Sequence, residues 1–370
     1  MRISRIDLYW AKMPLIYPWR TAYGEDWDIH TVLVRLQTPD GLHAWGETTP
    51  LYAPTYSPEH TPGVYTTLRE HFAPLIVGQD MDTAADLLAR LATFKGNPFA
   101  KAGLEVAWWV LEAKRLGKPL HQLLGGQRDR VPVGADFGVQ DSLDMLIAKI
   151  QTAVDAGYPR VKLKFRPGWD LNMLDAVRST FPSQVFHIDC NSGYTLADAD
   201  LFRKVDRYHL AMIEQPLQYD DLIDHAALQK MIETPICLDE SIKSLRDAEL
   251  ALRLGSCRYV NIKMGRVGGL STAKAIHDLC AGAGIPCWVG GMLESAVGSA
   301  ICLELATLSN FVYPSDIFPS STYYRRDLGQ PEITLSGPGE MAASDVPGIR
   351  PEPDPDLLAT RTVASATFEE

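Results

Sequence analysis

The chain reads as an α/β protein, a closed (β/α) barrel of parallel strands and helices capped by an α+β unit that the N-terminal part and the C-terminal tail form together. Three observations carry that reading. At 370 residues the chain exceeds the usual single core, so two units or one barrel with additions are expected. Residues before 126 show strands followed by helices. After residue 131, short apolar runs alternate with amphipathic stretches, as parallel βαβ units require.

In the first unit, residues 1–126, Ile6, Leu8 and Trp10 alternate with Arg5, Asp7 and Tyr9, and Val32, Val34 and Leu36 precede the Pro39-Asp40-Gly41 turn. A third strand around residues 43–47 completes a hairpin. The Pro- and aromatic-rich residues 14–28 read as a long irregular loop of the kind that covers a site. Residues 62–124 read as helical, with Ala100, Leu104, Ala107, Trp108 and Leu111 on one stripe and Gly125-Gly126 as the stop.

The second unit, residues 127–326, holds eight strand-like runs at 131–137, 160–165, 185–188, 210–213, 236–238, 259–262, 286–289 and 311–313. Their starts lie about 25 residues apart over much of the stretch, near the spacing of an eightfold TIM-like barrel; an open doubly wound sheet is the competing arrangement. Residues 327–370 are Pro- and Gly-rich without a helical period, and are expected to return to the first unit with a disordered end.

A net charge of −11 argues against a broad basic surface for nucleic acid or anionic lipid. There is no run of 18 apolar residues, and Arg2, Arg5 and Asp7 follow Met1 without an apolar stretch, which reads as a cytoplasmic chain with no membrane partner. The six cysteines stand singly, without C-x-x-C or zinc-like spacing, and are expected to be buried free thiols.

Chemistry is legible at the strand ends, where barrels assemble their sites. Val161-Lys162-Leu163-Lys164 puts two ammonium groups on one face of an extended strand. Asp189, Glu214 and Asp239 end the next three runs at intervals of 25 residues and are expected to converge. An all-oxygen set of this kind suits a hard divalent cation, magnesium above all, with manganese as a substitute. Lys263 ends the following run, so Lys164 and Lys263 are expected to face each other across the ion. Burial beside other cations is expected to lower a lysine pKa until it takes a proton from a carbon acid, whose carbanion needs a strong local cation.

Each residue alone has a plainer reading, the acids as helix N-caps and the lysines as solvated surface charges. Five of them at successive strand ends, preceded by apolar residues, argue for a site, because buried charges need partners. Gly265-Arg266-Val267-Gly268-Gly269 lacks phosphate-loop spacing and reads as a tight βα turn, with Arg266 either orienting Lys263 or a product group or lying exposed at the surface. No histidine has a close partner that would suggest catalysis.

Through these residues the chain resembles the enolase superfamily and its muconate-lactonizing-enzyme subgroup. Within it, Lys263 to Gly269 and Gly290-Gly291-Met292-Leu293-Glu294-Ser295 are similar to the o-succinylbenzoate synthase and N-succinylamino acid racemase family. The resemblance implies that Lys164 abstracts the proton, Lys162 assists the substrate carboxylate, and Lys263 is the opposing acid, base or cation. Asp189, Glu214 and Asp239 would hold Mg2+, supported by Asn191 and Glu240, while Thr21, Tyr23, Gly24, Tyr52, Met292, Leu293 and Glu294 would shape the pocket.

The implied substrate is a small carboxylate, the implied reaction a dehydration or a racemisation, and a homo-oligomer is compatible. Cycloisomerisation and dipeptide epimerisation rank lower, because Met292-Leu293-Glu294 stands where an epimerase Asp-x-Asp was sought. A barrel that binds without turnover ranks lowest, since no part of the base and metal inventory is missing. Relatives usually carry an acid in the helix around 107–111, and none stands at those five positions.

Overall fold

The computed structural model describes residues 1–370. Its N-terminal strands are β1 (Arg5–Arg20), β2 (Glu25–Gln37) and β3 (His43–Thr48). They form an antiparallel sheet whose outer member is the C-terminal strand Thr362–Glu369, paired to β1 with Ile6 opposite Phe368. Ile6 and Leu8 lie opposite Leu36 and Val34 in β2, so the period-two apolar face is continuous and buried. The helix Pro98–Arg115 packs on β3 and β2. Gly46 permits that approach, since a Cβ there would lie 2.6 Å from the Ala107 backbone nitrogen.

Two expectations for this unit are corrected. Residues 14–28 are not a free loop: β1 and β2 continue through them, with a register shift between Pro14 and Trp19 and a turn at residues 21–24. Pro14 and Pro18 lack ladder N–H groups, which breaks the pattern without ending the hairpin. The tail is likewise ordered, with a short helix Pro355–Arg361 capped by Asp354 and then the edge strand. The helical stripe expected over residues 62–124 is interrupted by turns and divides into short helices before Pro98–Arg115.

After a short strand β4 (Arg130–Pro132), which pairs antiparallel with Glu340–Ala342, the barrel follows from β5 (Ala135–Phe137), β6 (Arg160–Lys164), β7 (Val185–Asp189), β8 (Ile213–Glu214), β9 (Ile236–Leu238), β10 (Tyr259–Ile262) and β11 (Cys287–Val289). Strands β5 to β11 lie side by side, parallel and in chain order, which excludes the doubly wound alternative. The eighth run is no regular strand. Residues 311–316 close the ring through single bridges, Phe311 to Cys287 on one side and Ser315 to Val133 on the other. The Asp316 amide donates to Val289 O at 2.9 Å and the Gly134 amide to Ser315 O at 3.0 Å.

Buried acids fasten the cap to the barrel. Glu105, on the long cap helix, accepts from the amides of Leu270 (2.7 Å) and Ser271 (2.9 Å) at the start of the barrel helix Leu270–Gly282, whose own N-cap, Gly269, has no side chain to offer. Glu47 of β3 accepts from Ser295 N (3.0 Å), Ser295 Oγ (2.5 Å) and Gly298 N (2.8 Å) at the start of Ala296–Leu305. Unsatisfied helix amides and the positive end of the helix dipole make these carboxylates stabilising despite their burial.

Truncating Glu105 to Ala is expected to lower the unfolding free energy by about 3 kcal/mol in urea titration, because two buried amides and Trp109 Nε1 lose an acceptor; a loss below about 0.5 kcal/mol contradicts the staple. A pH effect follows from Glu59, which accepts from Phe99 N and Ala100 N and whose carboxyl is pushed up to about 7 by burial. The folded state holds this proton more tightly than the unfolded chain, so stability falls as pH rises from about 4.5 to about 7. Glu59→Gln is expected to flatten that part of the stability profile measured by thermal unfolding.

Candidate active site

β6 alternates strictly, and all five of its residues are buried. Arg160, Lys162 and Lys164 therefore point to one side, inside the barrel, while Val161 and Leu163 pack outward. Pairing places Lys164 opposite Asp189 on β7 and Asp189 opposite Glu214 on β8. Asp239 follows the last residue of β9 and Lys263 the last residue of β10. The structure thus assembles the five sequence-predicted residues at one mouth of the barrel.

Each acid is drawn to a cation. Lys164 Nζ lies 2.6 Å from Asp189 Oδ2, and Lys162 Nζ lies 3.2 Å from Glu214 Oε2 and 3.4 Å from Asp189 Oδ2. Lys263 Nζ donates to Asp239 Oδ2 at 2.9 Å and stands 4.5 Å over the Tyr56 ring. Arg266 is buried and also binds Asp239. It donates to the Tyr56 hydroxyl at 2.8 Å, and Tyr56 donates to Asp239 Oδ1 at 2.9 Å. Arg266 accordingly touches Asp239 rather than Lys263 itself.

The expected convergence of the three carboxylates is corrected at the level of side chains: no group of three His, Cys, Asp or Glu surrounds a common point. Their strands are adjacent, and the acids pair with ammonium groups, Asp189 with Lys164 and Asp239 with Lys263, while Lys162 stands between Asp189 and Glu214. The donor set still fits a hard cation. Glu240 Oε2 and Asn191 Oδ1 are buried without a hydrogen bond, and such oxygens call for a positive partner; Glu214 Oε2, also without a hydrogen bond, has the Lys162 ammonium at 3.2 Å. Asn191 Nδ2 donates to Glu240 Oε1 at 3.2 Å and the Asn191 amide to Asp189 Oδ1 at 3.0 Å, so both supporting residues are in place.

At Lys162 and Lys263 burial does not lower the lysine pKa as expected. Burial does pull Lys162 down, but the charges of Asp136 and Asp316 outweigh it and hold the ammonium well above its usual range. For Lys263 burial is again outweighed, by Tyr56 and the acids around it. Glu240 is pushed up to about 7 by burial and then by Asp189. The acids outnumber the cations here, which the strand-end reading did not weigh.

A cavity of about 40 Å³ opens between the lysines and the capping unit. Tyr23, Leu51, Met292 and Leu293 line it, joined by Trp19, Ile29 and Phe318, which the sequence reading missed. Tyr52 is 52% exposed and lies against Trp10 and His30, away from the cavity. Thr21 and Gly24 only shape the hairpin turn, with Thr21 N donating to Gly24 O at 3.0 Å. Glu294 turns back to accept from Met292 N at 2.9 Å. Asp136 and Asp316 were also missed: Asp136 lies inside the first run and Asp316 three residues beyond the eighth. A larger groove of about 650 Å³ behind Arg266 contains none of the three carboxylates.

The description "Mandelate racemase / muconate lactonizing enzyme, N-terminal domain" matches residues 5–125, and "Enolase C-terminal domain-like" matches residues 145–357. The chain belongs to the enolase superfamily. It is 45% identical to an o-succinylbenzoate synthase of Geobacillus kaustophilus over 94% of this chain and 93% of that protein. It is 40% identical to an N-succinylamino acid racemase of an Amycolatopsis species over 98% of both. A solved enolase-superfamily member from Listeria innocua superposes with a TM-score of 0.95 at 35% identity, covering 100% of this chain and 99% of that one. The acid sought in the helix at 107–111 is present in its neighbours, since Glu105 and Glu112 of the same helix are buried.

Tyr56→Phe removes the hydroxyl that joins Asp239 to Arg266 while leaving their ion pair. Steady-state kinetics is expected to show roughly a fivefold loss in kcat/KM, the scale of one buried hydrogen bond, with an unchanged circular-dichroism spectrum; full activity contradicts a role for that bridge.

Proposed function

We propose that the protein is an o-succinylbenzoate synthase that dehydrates a 2-succinyl-6-hydroxycyclohexadiene carboxylate, in the cytoplasm and in the service of menaquinone synthesis. The observation that carries it is Lys162 and Lys164 on one strand face, with Lys164 opposite Asp189 and Asp189 opposite Glu214 on the neighbouring strands, and Lys263 across the mouth. The o-succinylbenzoate synthase relative at 45% identity supports the same reading, and the N-succinylamino acid racemase at 40% supports the second reading below. Lys162 binds the substrate carboxylate. Lys164 takes the proton from the carbon beside it, the electron pair left behind expels the hydroxyl on the next carbon, and that hydroxyl leaves as water with the proton returned by Lys164, giving the aromatic ring.

The residues that would hold Mg2+ are Asp189, Glu214 and Asp239, and the ion supplies positive charge to the carboxylate end of the substrate when bound. Occupation of those carboxylates would also relieve Lys164 and Lys263 of acids that now hold them, so that a neutral amine can act as base. The apolar wall of Trp19, Ile29, Leu51 and Phe318 suits a hydrocarbon ring and excludes water from the carbanion.

The second reading, racemisation of N-succinylamino acids, is favoured by Lys263, a buried ammonium on the opposite side from Lys164 that can return a proton to the other face. One protein with both lysines can perform both reactions. Dipeptide epimerisation is disfavoured further, because the eighth segment offers Asp316-Ile317-Phe318 with a single acid, already paired to Lys162 at 2.6 Å.

Both substrates assayed on one preparation with Mg2+ decide between them. Dehydration of the cyclohexadiene acid is expected, and Lys164→Ala is expected to lower its kcat at least about a thousandfold; negligible dehydration by the parent, or an active Lys164→Ala variant, refutes the proposal.

A further inference from the structure

Lys162 and Lys164 share a strand face, yet the barrel treats them differently. Lys164 has one carboxylate partner, Asp189. Lys162 has four within 3.4 Å: Asp316 at 2.6 Å, Glu214 at 3.2 Å, and Asp136 and Asp189 at 3.4 Å each. Its nearest partner, Asp316, comes from the irregular segment that closes the barrel and is 2% exposed. Asp316 is itself held by Arg160, which also binds Asp136 Oδ1 at 2.5 Å and donates to Pro314 O at 3.0 Å. Arg160 fits there because position 134 is glycine: a Cβ would lie 2.1 Å from the guanidinium carbon. Trp288 covers both cations, with Arg160 and Lys162 at 5.5 and 5.2 Å from its ring centre.

The arrangement is a closed circuit of buried charges whose free end is the Lys162 ammonium, facing the cavity that Asp136 also lines. The Lys162 ammonium already lies 3.2 Å from Glu214 and 3.4 Å from Asp189, and its flexible four-carbon stem could carry it fully onto those acids. We propose that Asp316, clamped by Arg160, is a positioning residue that holds the Lys162 ammonium at the barrel-closing side, where it receives the substrate carboxylate and stays nearer to Asp316 than to Asp189 or Glu214. The inference deepens the functional reading above and rests on it only for the identity of the carboxylate. Asp316 contacts Lys162 and not the reacting carbon, so its effect must pass through Lys162.

A double-mutant cycle tests this. Wild type, Asp316→Asn, Lys162→Met and the double variant are titrated calorimetrically with o-succinylbenzoate and with an N-succinylamino acid, and KM and kcat are measured for the parent reaction. Asp316→Asn is expected to raise Kd and KM about tenfold with a smaller fall in kcat, and to change nothing further once Lys162 is Met. Equal losses in both backgrounds would show a merely structural role and overturn the proposal, as would unaltered binding in Asp316→Asn. If Asp316→Asn does not fold, Arg160→Met/Asp316→Asn removes the buried pair together and takes its place in the cycle. A crystal structure of the variant separates this inference from the functional reading: Lys162 Nζ is expected to move closer to Asp189 or Glu214 than its 3.4 and 3.2 Å in the parent, whatever substrate the enzyme turns over, and an unmoved ammonium refutes the clamp.

Discussion

A buried balance between strand-borne cations and strand-end carboxylates organises the molecule. Arg160, Lys162 and Lys164 enter the barrel interior because an extended strand sends alternate side chains the same way. Once inside, three cations need acids, and β5, β7, β8 and the closing segment each present one. Charges this deep are tolerable only when paired and hydrogen bonded, so the ring of acids and the ladder of bases constrain each other's positions. The site is in that sense the polar core of the barrel, exposed at one end to a narrow cavity.

The capping unit depends on the same economy of buried charge. Glu47 and Glu105 are fully buried, yet both stand at the amide-rich starts of barrel helices, where a carboxylate replaces hydrogen bonds the helix cannot make itself. These contacts fix the cap over the mouth and so set where Trp19, Tyr23, Leu51 and Tyr56 meet the site. Tyr56 extends the connection into the chemistry, since its hydroxyl bridges Asp239 and Arg266 across the two units. The apolar wall and the charged floor of the cavity therefore come from different parts of the chain held in one geometry.

The strand-end argument recovered five of the residues around the mouth because it relies on local periodicity: a two-residue alternation in Val161 to Lys164 and an acid just after each apolar run. It missed Asp136 because the first run breaks at Val133 and Gly134 into two strands, and Asp316 because residues 311–316 pair through isolated bridges instead of a regular ladder. It misjudged residues 14–28 for a related reason, since two prolines interrupt the ladder without ending the hairpin. Tyr52 was chosen for its place in an irregular segment, and only the packing of its ring on His30 shows that it faces elsewhere.

By itself the sequence determined the parallel barrel, the cap formed from both ends of the chain, and the residue types of a carbanion-forming site. Those follow from hydrophobic period, strand-end chemistry and family motifs, all of which are local in the chain. Tertiary structure alone decided which carboxylate pairs with which ammonium, why Lys162 and Lys164 are not equivalent, and which aromatic groups close the cavity. The physical reason is that charge pairing and burial depend on distances between segments far apart in the chain, and a spacing of 25 residues says that side chains are neighbours without saying which way they turn.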